Sequence, residues 1–354
     1  MSERSRKRRV TLAEVASRAG VSPSTVSRTL NQRGEISAST RAAVLEAASA
    51  LNFRPSRLAR SLRTQRTHTI GFVVPDVSSP FYAHALKGAQ RELERSGFQV
   101  MLMESDQEVA GEIAAIETLM THQVDGLLLS TAGLSTERFT EILGDDGPPC
   151  AFFDGVLHGA GASSVVLDNL GGIELLVDHL HRHGHERIAL LGGSQAETSS
   201  VERLEGFRAA TSARQLPIDP AYERLCRWTL DSAHAETLEL LSLPEPPTAI
   251  VAASAELALG CLGACRERGV AIPGDIALVS YDDPYFGALL EPPLTAAAYR
   301  AGEIGERAAQ LLLEAIEAPD TPPRELRIPV TLVRRRSCGC DSTTHPEPRR
   351  GPWS

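Results

Sequence analysis

From Thr69 onward, short apolar segments alternate with amphipathic stretches, and that rhythm leaves few folds open. TIGFVVP (69–75) has the composition of a buried strand, and Pro80 to Gly97 follows with helical spacing. QVMLM (99–103) and DGLLLS (125–130) are strands separated by another helix, and CAFF (150–153), RIALLGG (187–193), TAIVAA (248–253) and IALVSYDD (276–283) continue the pattern. Apolar strands alternating with helices imply parallel sheets wound by right-handed crossovers. About 270 residues of this rhythm predict two lobes, with a ligand site beyond the strand C-termini and between the lobes. No run of about 18 apolar residues occurs, so a membrane-spanning helix is not expected.

The first 53 residues follow a different grammar. Thr11 and Glu14 form a capping-box pair, and Leu12, Val15, Ala16 and Ala19 recur at helical spacing before Gly20, which is placed to end the helix. Ser22 caps a second helix with Pro23 at its first position, and Val26 and Leu30 supply its apolar face before Asn31. Two short helices joined through a glycine are a helix-turn-helix signature. Ser37 caps a third helix from about Ala38, with Val44, Ala48 and Leu51 as its inner stripe.

Charge is divided as sharply as structure. The 354-residue chain has a net charge of −9. Residues 1–66 carry 14 Lys/Arg against 4 Asp/Glu, a net of +10, and the remainder carries 22 against 41, a net of −19. A basic head on an acidic body is the electrostatic footprint of a phosphate partner; the alternative is a solvated basic tail. Residues 54–66, RPSRLARSLRTQR, hold five Arg and no acid. The segment is too short and polar for a lone helix and reads as a linker that orders once its charge is neutralised. Six cysteines without framework spacing and an N-terminus without an apolar h-region (MSERSRKRRV) fit a reduced, cytoplasmic compartment. The Pro-, Arg- and Ser-rich tail from about Ser337 is expected to be disordered.

VTLAEVASRAGVSPSTVSRTLN (10–31) and LNFRPSRLARSLRTQRTHTIGFVVPD (51–76) together resemble the lactose-repressor (LacI/GalR) family of bacterial transcription regulators. The likeness continues through VLDNLGG, GHERIALLGG, RLEGF, PTAIVA, VSYDD and EPPLTAAAYRAGEIG, and so covers nearly the whole chain. The resemblance implies an α/β protein with an all-α helix-turn-helix head and a two-lobed periplasmic-binding-protein-like core of parallel sheets flanked by helices. The expected division is a disordered basic arm at 1–9, the DNA-binding domain at 10–53, a hinge helix at 54–66, the effector-binding and dimerisation core at 67–336 and a disordered tail at 337–354. The implied function is a transcriptional regulator, acting as a repressor: a homodimer on a pseudo-palindromic double-stranded operator, its affinity set by a small effector.

The resemblance also assigns residues. Pro23 and Ser24 occupy the family's main base-selecting positions, with Ser27 and Arg28 further along the same face. Arg28 has the fork geometry for guanine O6 and N7; its alternative is a phosphate contact. Ser22 and Thr25 are expected on backbone phosphates. By the family pattern Leu62 is a wedge for the minor groove, Ala59 the small residue beside it, and Arg57, Arg60 and Arg63 neutralise phosphates. In the core, the resemblance carries Phe81, Tyr82, Asp154, Arg203, Trp228, Ser254 and Asp282 to the effector cleft. Two carboxylates, an Arg and a Trp suit a sugar: charged groups bond its hydroxyls and the indole covers its apolar face. The alternatives are a Trp228 that fills core and an Asp282 that braces a loop. The sequence departs from the family at Ser254-Ala255, where many relatives have Asn-Asp, and at Tyr299 and Ala301, where a Gln-Pro-type segment is usual. A nucleobase effector or a partner protein is the competing regulator, and a cytoplasmic sugar-binding protein or enzyme the more distant reading.

Enzymatic and metal motifs are weak. GAGASS (159–164) does not open a helix after a strand, and no P-loop, nucleophile elbow or HExxH pattern occurs. His179, His181, His183 and His185 recur every second residue and read as surface histidines at a helix C-terminus. Cys338-Gly-Cys340 is a lone CxC in the expected tail, and Cys261 and Cys265, four apart on a helix, read as packing residues. No cofactor and no metal ion are expected.

Overall fold

The structure is a computed structural model that describes residues 10–30, 35–53, 66–217 and 219–340. The arm at 1–9, the hinge positions Arg57, Ala59, Arg60, Leu62 and Arg63, and the tail beyond 340 lie outside the described residues. The chain divides into two units, Met1–Thr67 and His68–Ser354.

The first unit contains α1 (Leu12–Ala19), α2 (Pro23–Leu30) and α3 (Ala38–Ala50). The capping box forms in both directions: Glu14 N–H donates to Thr11 Oγ1 at 3.3 Å and Thr11 N–H to Glu14 Oε2 at 2.7 Å. Gly20 ends α1 at φ 66°, ψ 30°, a left-handed conformation that only glycine adopts without strain. Ser22 Oγ accepts from Thr25 N–H at the start of α2, and Ser37 Oγ accepts from Thr40 N–H at the start of α3. Val15, Ala16, Val26, Val44, Ala47 and Ala48 close a core of their own.

The second unit holds two sheets of six strands. The first has the order β11-β5-β4-β3-β1-β2 and is parallel throughout: β1 (Thr69–Val74), β2 (Gln99–Glu104), β3 (Gly126–Leu129), β4 (Cys150–Phe153), β5 (Ser163–Leu167) and β11 (Glu325–Ile328). The second has the order β12-β10-β9-β8-β6-β7, with β6 (Ile188–Gly192), β7 (Glu223–Leu225), β8 (Ala249–Ala252), β9 (Ala277–Ser280), β10 (Thr295–Ala298) and β12 (Thr331–Val333); only the β10/β12 pair is antiparallel. Helices α4 (Pro80–Arg95), α5 (Val109–Thr121) and α6 (Thr136–Leu143) connect strands of the first lobe. Helices α7 (Asn169–Arg182), α8 (Thr198–Ala213), α9 (Leu230–Leu241) and α10 (Ala255–Arg268) belong to the second lobe.

The chain passes between the lobes three times: from β5 into α7, from β10 into α11 (Ala301–Glu317), and from β11 into β12. After the second passage α11 packs on α4 and on β3, β4 and β5 of the first lobe. The α4/α11 approach is at backbone distance, since a Cβ on Gly88 would lie 1.9 Å from Gly302 O and one on Gly305 1.8 Å from Ala85 O.

Two sequence expectations are corrected here. The core does not stop at 336: Ser337 is fully buried, with its Oγ donating to Leu278 O at 2.6 Å and accepting from Thr295 N–H at 2.8 Å, and Cys338 is 1% exposed. A serine that satisfies two backbone groups of neighbouring strands holds this segment in place despite its tail-like composition. His179 is likewise no surface histidine; it is 4% exposed and faces Cys338.

Candidate functional site: an interlobe cleft and a recognition helix

Strand ends build the cleft. The loop after β1 supplies Asp76 and Ser79, and the first turn of α4 supplies Phe81 and Tyr82. Asp154 follows β4, Glu197 lies between β6 and α8, Trp228 lies beyond β7, Ser254 follows β8, Asp282 follows β9 and Tyr299 follows β10. Arg203 reaches in from α8. Together they line a cleft between the lobes that stays partly open to solvent, with about 60 Å³ of free space at its centre.

Arg203 is the centre of the site. It is 6% exposed, and its Nε–H donates to Asn169 Oδ1 at 2.9 Å while Nη1 donates to Ala253 O at 2.6 Å. The guanidinium lies 4.0 Å from the Tyr281 ring centre and 5.7 Å from that of Trp228. Its plane is thus fixed by two hydrogen bonds and two aromatic faces. Three carboxylates surround it, each already held by a neutral donor. Tyr82 Oη–H donates to Asp154 Oδ2 at 3.0 Å, and Trp228 Nε1–H donates to Glu197 Oε2 at 2.8 Å. Asp282 accepts from Ala255 N–H through Oδ2 at 3.1 Å and from Tyr299 Oη–H through Oδ1.

Burial dominates the electrostatics. It pushes Asp282 up to about 7, against the opposing pull of Arg203. Glu197 also rises to about 7, through burial first, with the Trp228 hydrogen bond opposing. Burial raises Asp154 as well. Asp154 further sits at φ 68°, a left-handed conformation that a non-glycine residue holds only where its surroundings fix it. Among the described residues the cleft lining has one cation, Arg203, against five acids: Asp76, Asp154, Glu197, Glu256 and Asp282.

Direct contacts span the lobes around this cleft. Ser79 Oγ donates to Glu256 Oε1 at 3.3 Å, Val156 N–H to Thr198 Oγ1 at 2.9 Å and Arg227 Nη1 to Glu108 Oε1 at 2.9 Å. These contacts join the two lobes beside the cleft.

All seven residues assigned to the cleft from sequence line it. Ser254 does so with its acceptor engaged, because its Oγ caps α10 by accepting from Leu257 N–H at 3.2 Å. Trp228 is half-buried: it lines the space and also packs against the core behind it, and a Cβ on Gly193 would lie 2.0 Å from its ring, so the indole rests directly on that backbone. Glu197, Glu256 and Tyr299 were missed as site residues. Glu197 and Tyr299 follow β6 and β10, so the strand-end rule applied to every strand would have found them.

In the head unit, Pro23, Ser24 and Arg28 are exposed on α2 and Ser27 is half-buried beside them. Positions 23, 24, 27 and 28 recur at helical spacing and form one outward face. Ser22 Oγ lies 2.7 Å from Ser24 Oγ and 2.9 Å from Thr25 Oγ1, a hydroxyl cluster at the helix N-terminus where phosphate oxygens are favoured. Thr29 is buried, with its Oγ1 donating to Thr25 O.

Comparison with known proteins decides the identity of this arrangement. Residues 11–56 match the family described as bacterial regulatory proteins, lacI family, and residues 177–338 match the periplasmic binding protein-like domain. The ribose operon repressor of Escherichia coli (strain K12) is 33% identical over 331 residues, which cover 92% of this chain and 99% of that protein. The chain belongs to the lacI family. Among solved structures, the lac repressor dimer bound to operator and the anti-inducer ONPF aligns with this lacI-family chain at TM-score 0.84 and 28% identity, covering 94% of this chain and 99% of that one. The transcriptional regulator CelR–cellobiose complex aligns at TM-score 0.70 and 32% identity over 93% and 100% of the two chains. As a lacI-family member the protein is a DNA-binding transcriptional regulator with a small-molecule effector; the lacI-family match falls within the first unit and the periplasmic binding protein-like match within the second.

Proposed function

We propose that this regulator is a cytoplasmic homodimeric repressor whose effector is a neutral, hydroxyl-rich molecule, a sugar or sugar derivative, held in the interlobe cleft. The observation that carries the effector class is the charge of the lining: five carboxylates and a single Arg around one indole face. An anionic ligand such as a sugar phosphate would meet net repulsion there, whereas hydroxyl groups find both acceptors and donors in charge-assisted form. Trp228 offers a flat surface for the C–H face of a ring. Relatives support the class, one being a ribose operon repressor and another a regulator solved with cellobiose. The carboxylates are already held by Tyr82, Trp228 and Tyr299, an arrangement suited to recognition and not to turnover, so the protein binds its effector without converting it.

On DNA, Pro23, Ser24, Ser27 and Arg28 face the bases of the major groove, with Ser22 and Thr25 on phosphates. Pro23 has no donor and contributes apolar contact, so Arg28 supplies the strongest base discrimination. Effector and operator communicate because the ligand bridges residues of both lobes, and so favours one lobe angle over another.

A thermal-shift screen of the full chain against sugars, sugar phosphates and nucleobases tests the effector class. A ligand at 100 times its dissociation constant should stabilise the body by about 2.7 kcal/mol. Neutral sugars should produce the shift and sugar phosphates should not. Stabilisation by purines alone, or by phosphorylated sugars in preference to neutral ones, would refute the assignment.

A further inference from the structure

A second cluster of chemically capable side chains lies in the second lobe, made of residues that do not line the cleft. His179, on the last turn of α7, and His183, its C-terminal cap, are four residues apart on one side of the helix, with ring centres 4.4 Å apart. Opposite them is the segment after β12. Ser337 fixes its start through two buried backbone partners, and Gly339 at φ 81° turns the chain between Cys338 and Cys340. His179 Nε2 lies 3.2 Å from Cys338 Sγ and 3.1 Å from Cys340 Sγ, and His183 Nε2 lies 3.3 Å from Cys340 Sγ. The two sulfurs are 2.6 Å apart, and both cysteines are free.

We propose that His179, His183, Cys338 and Cys340 bind one zinc ion. Two imidazole nitrogens and two thiolates are a tetrahedral zinc set, with no oxygen ligand of the kind calcium or magnesium requires. His183 is pre-oriented for the role: its Nδ1 lies 2.7 Å from His179 O, so Nδ1 carries the proton and Nε2 presents its lone pair to the sulfurs. Thr295 Oγ1, 3.1 Å from Cys338 Sγ, is placed to donate to that sulfur as a thiolate. Zn–S bonds of about 2.3 Å and Zn–N bonds of about 2.1 Å span tetrahedral edges of roughly 3.5–3.8 Å. The three nitrogen–sulfur separations given above are already within a few tenths of that range; His179, Cys338 and Cys340 have all their ligand atoms within 4.8 Å of one another, and His183 would swing in as the fourth ligand beside Cys340. The sulfur pair must open by about 1 Å, which a rotation of the half-buried Cys340 side chain provides. Binding takes up one Zn²⁺ and releases the two thiol protons to solvent, with no change of oxidation state. The ion would tie the last described segment of the chain to α7.

The test uses the full-length protein, purified, reduced and stripped with a chelator, then titrated with Co²⁺ and Zn²⁺. One Co²⁺ per chain should bind, giving the visible bands of a tetrahedral ion and a thiolate charge-transfer band in the near ultraviolet, and Zn²⁺ should displace it. His183→Ala, at an exposed position, should fold and weaken Zn²⁺ affinity at least about tenfold. Cys340→Ser should remove half of the charge-transfer intensity. Failure of the reduced protein to take up stoichiometric Co²⁺ or Zn²⁺ would overturn the proposal. So would wild-type affinity in both variants, or a Cys338–Cys340 disulfide whose re-reduction restores no metal binding.

Discussion

Arg28 is exposed on a face whose other members have short or absent polar groups, and in the function proposed above its guanidinium would carry the main discriminating contact. Arg28→Ala should weaken binding to the specific operator by about 1–3 kcal/mol and binding to random DNA far less, as read by competitive mobility-shift titration. Equal losses on both would reduce Arg28 to a phosphate contact. Asp282 offers a second test, through pH. Burial holds its folded-state pKa near 7, whereas an unfolded chain leaves an Asp near 3.9. Between those values the folded state keeps a proton that the unfolded state releases, so this group's contribution to stability falls as pH rises from about 4 to 7 and then levels off. Asp282→Asn retains an acceptor for Ala255 N–H without the titration. The stability difference between wild type and variant, measured by urea unfolding across that interval, should therefore change by up to about 1.4 kcal/mol per pH unit, to the relative disadvantage of wild type at high pH. A difference independent of pH would mean that Asp282 is fully ionised throughout.

At the scale of elements, the joint between α4 and α11 has no room for a methyl group at one position and ample room at another. A Cβ on Gly305 would lie 1.8 Å from Ala85 O, whereas one on Gly302 would meet nothing closer than His84 O at 3.6 Å. Gly305→Ala should therefore destabilise the body by about 1–3 kcal/mol or more in urea unfolding, and Gly302→Ala should stay within about 0.5 kcal/mol. Equal effects would mean that the two helices can slide apart at no cost. The same region marks where sequence reading ran out. Long buried strands such as TIGFVV and capped helices such as α1 and α3 were legible, because apolar runs and cap residues are local signals. Elements such as β7, β11 and β12 were not: ERL, ELRI and TLV are short and only partly buried, and pairing with a distant neighbour is what makes them strands. The cleft was legible from the family likeness, but Glu197 acquires its role only through the Trp228 indole that meets it. The His/Cys cluster was hidden for a related reason. Its two halves are more than 150 residues apart in the chain, and the composition around Cys338 resembles a tail.

For the whole molecule, the opposed charges of the two parts predict opposed responses to salt. Residues 1–66 carry a net of +10 and the rest a net of −19. Operator affinity should fall by about 10³–10⁵ between 50 and 200 mM salt if 6–10 phosphates are contacted. Effector affinity should change by less than about twofold over the same range, because a neutral ligand exchanges no counterions. Calorimetric titration of the effector at the two salt concentrations checks the second part, and a steep dependence there would indicate an ionic ligand. The three passages between the lobes have a consequence of another kind, for a chain that emerges from the ribosome at about 5–20 residues per second. The head is contiguous and has its full core within its first 53 residues, so it can close early. The first lobe begins at Thr69 but lacks α11, with Ile304, Ala308 and Leu312 of its core, until residue 317, and it lacks its edge strand until Ile328. Its sheet must therefore wait, partly uncovered, while all of the second lobe except β12 and the segment after it is synthesised. The nascent body has no native resting point short of near completion, and the bare β3–β5 face is where a chaperone would be needed.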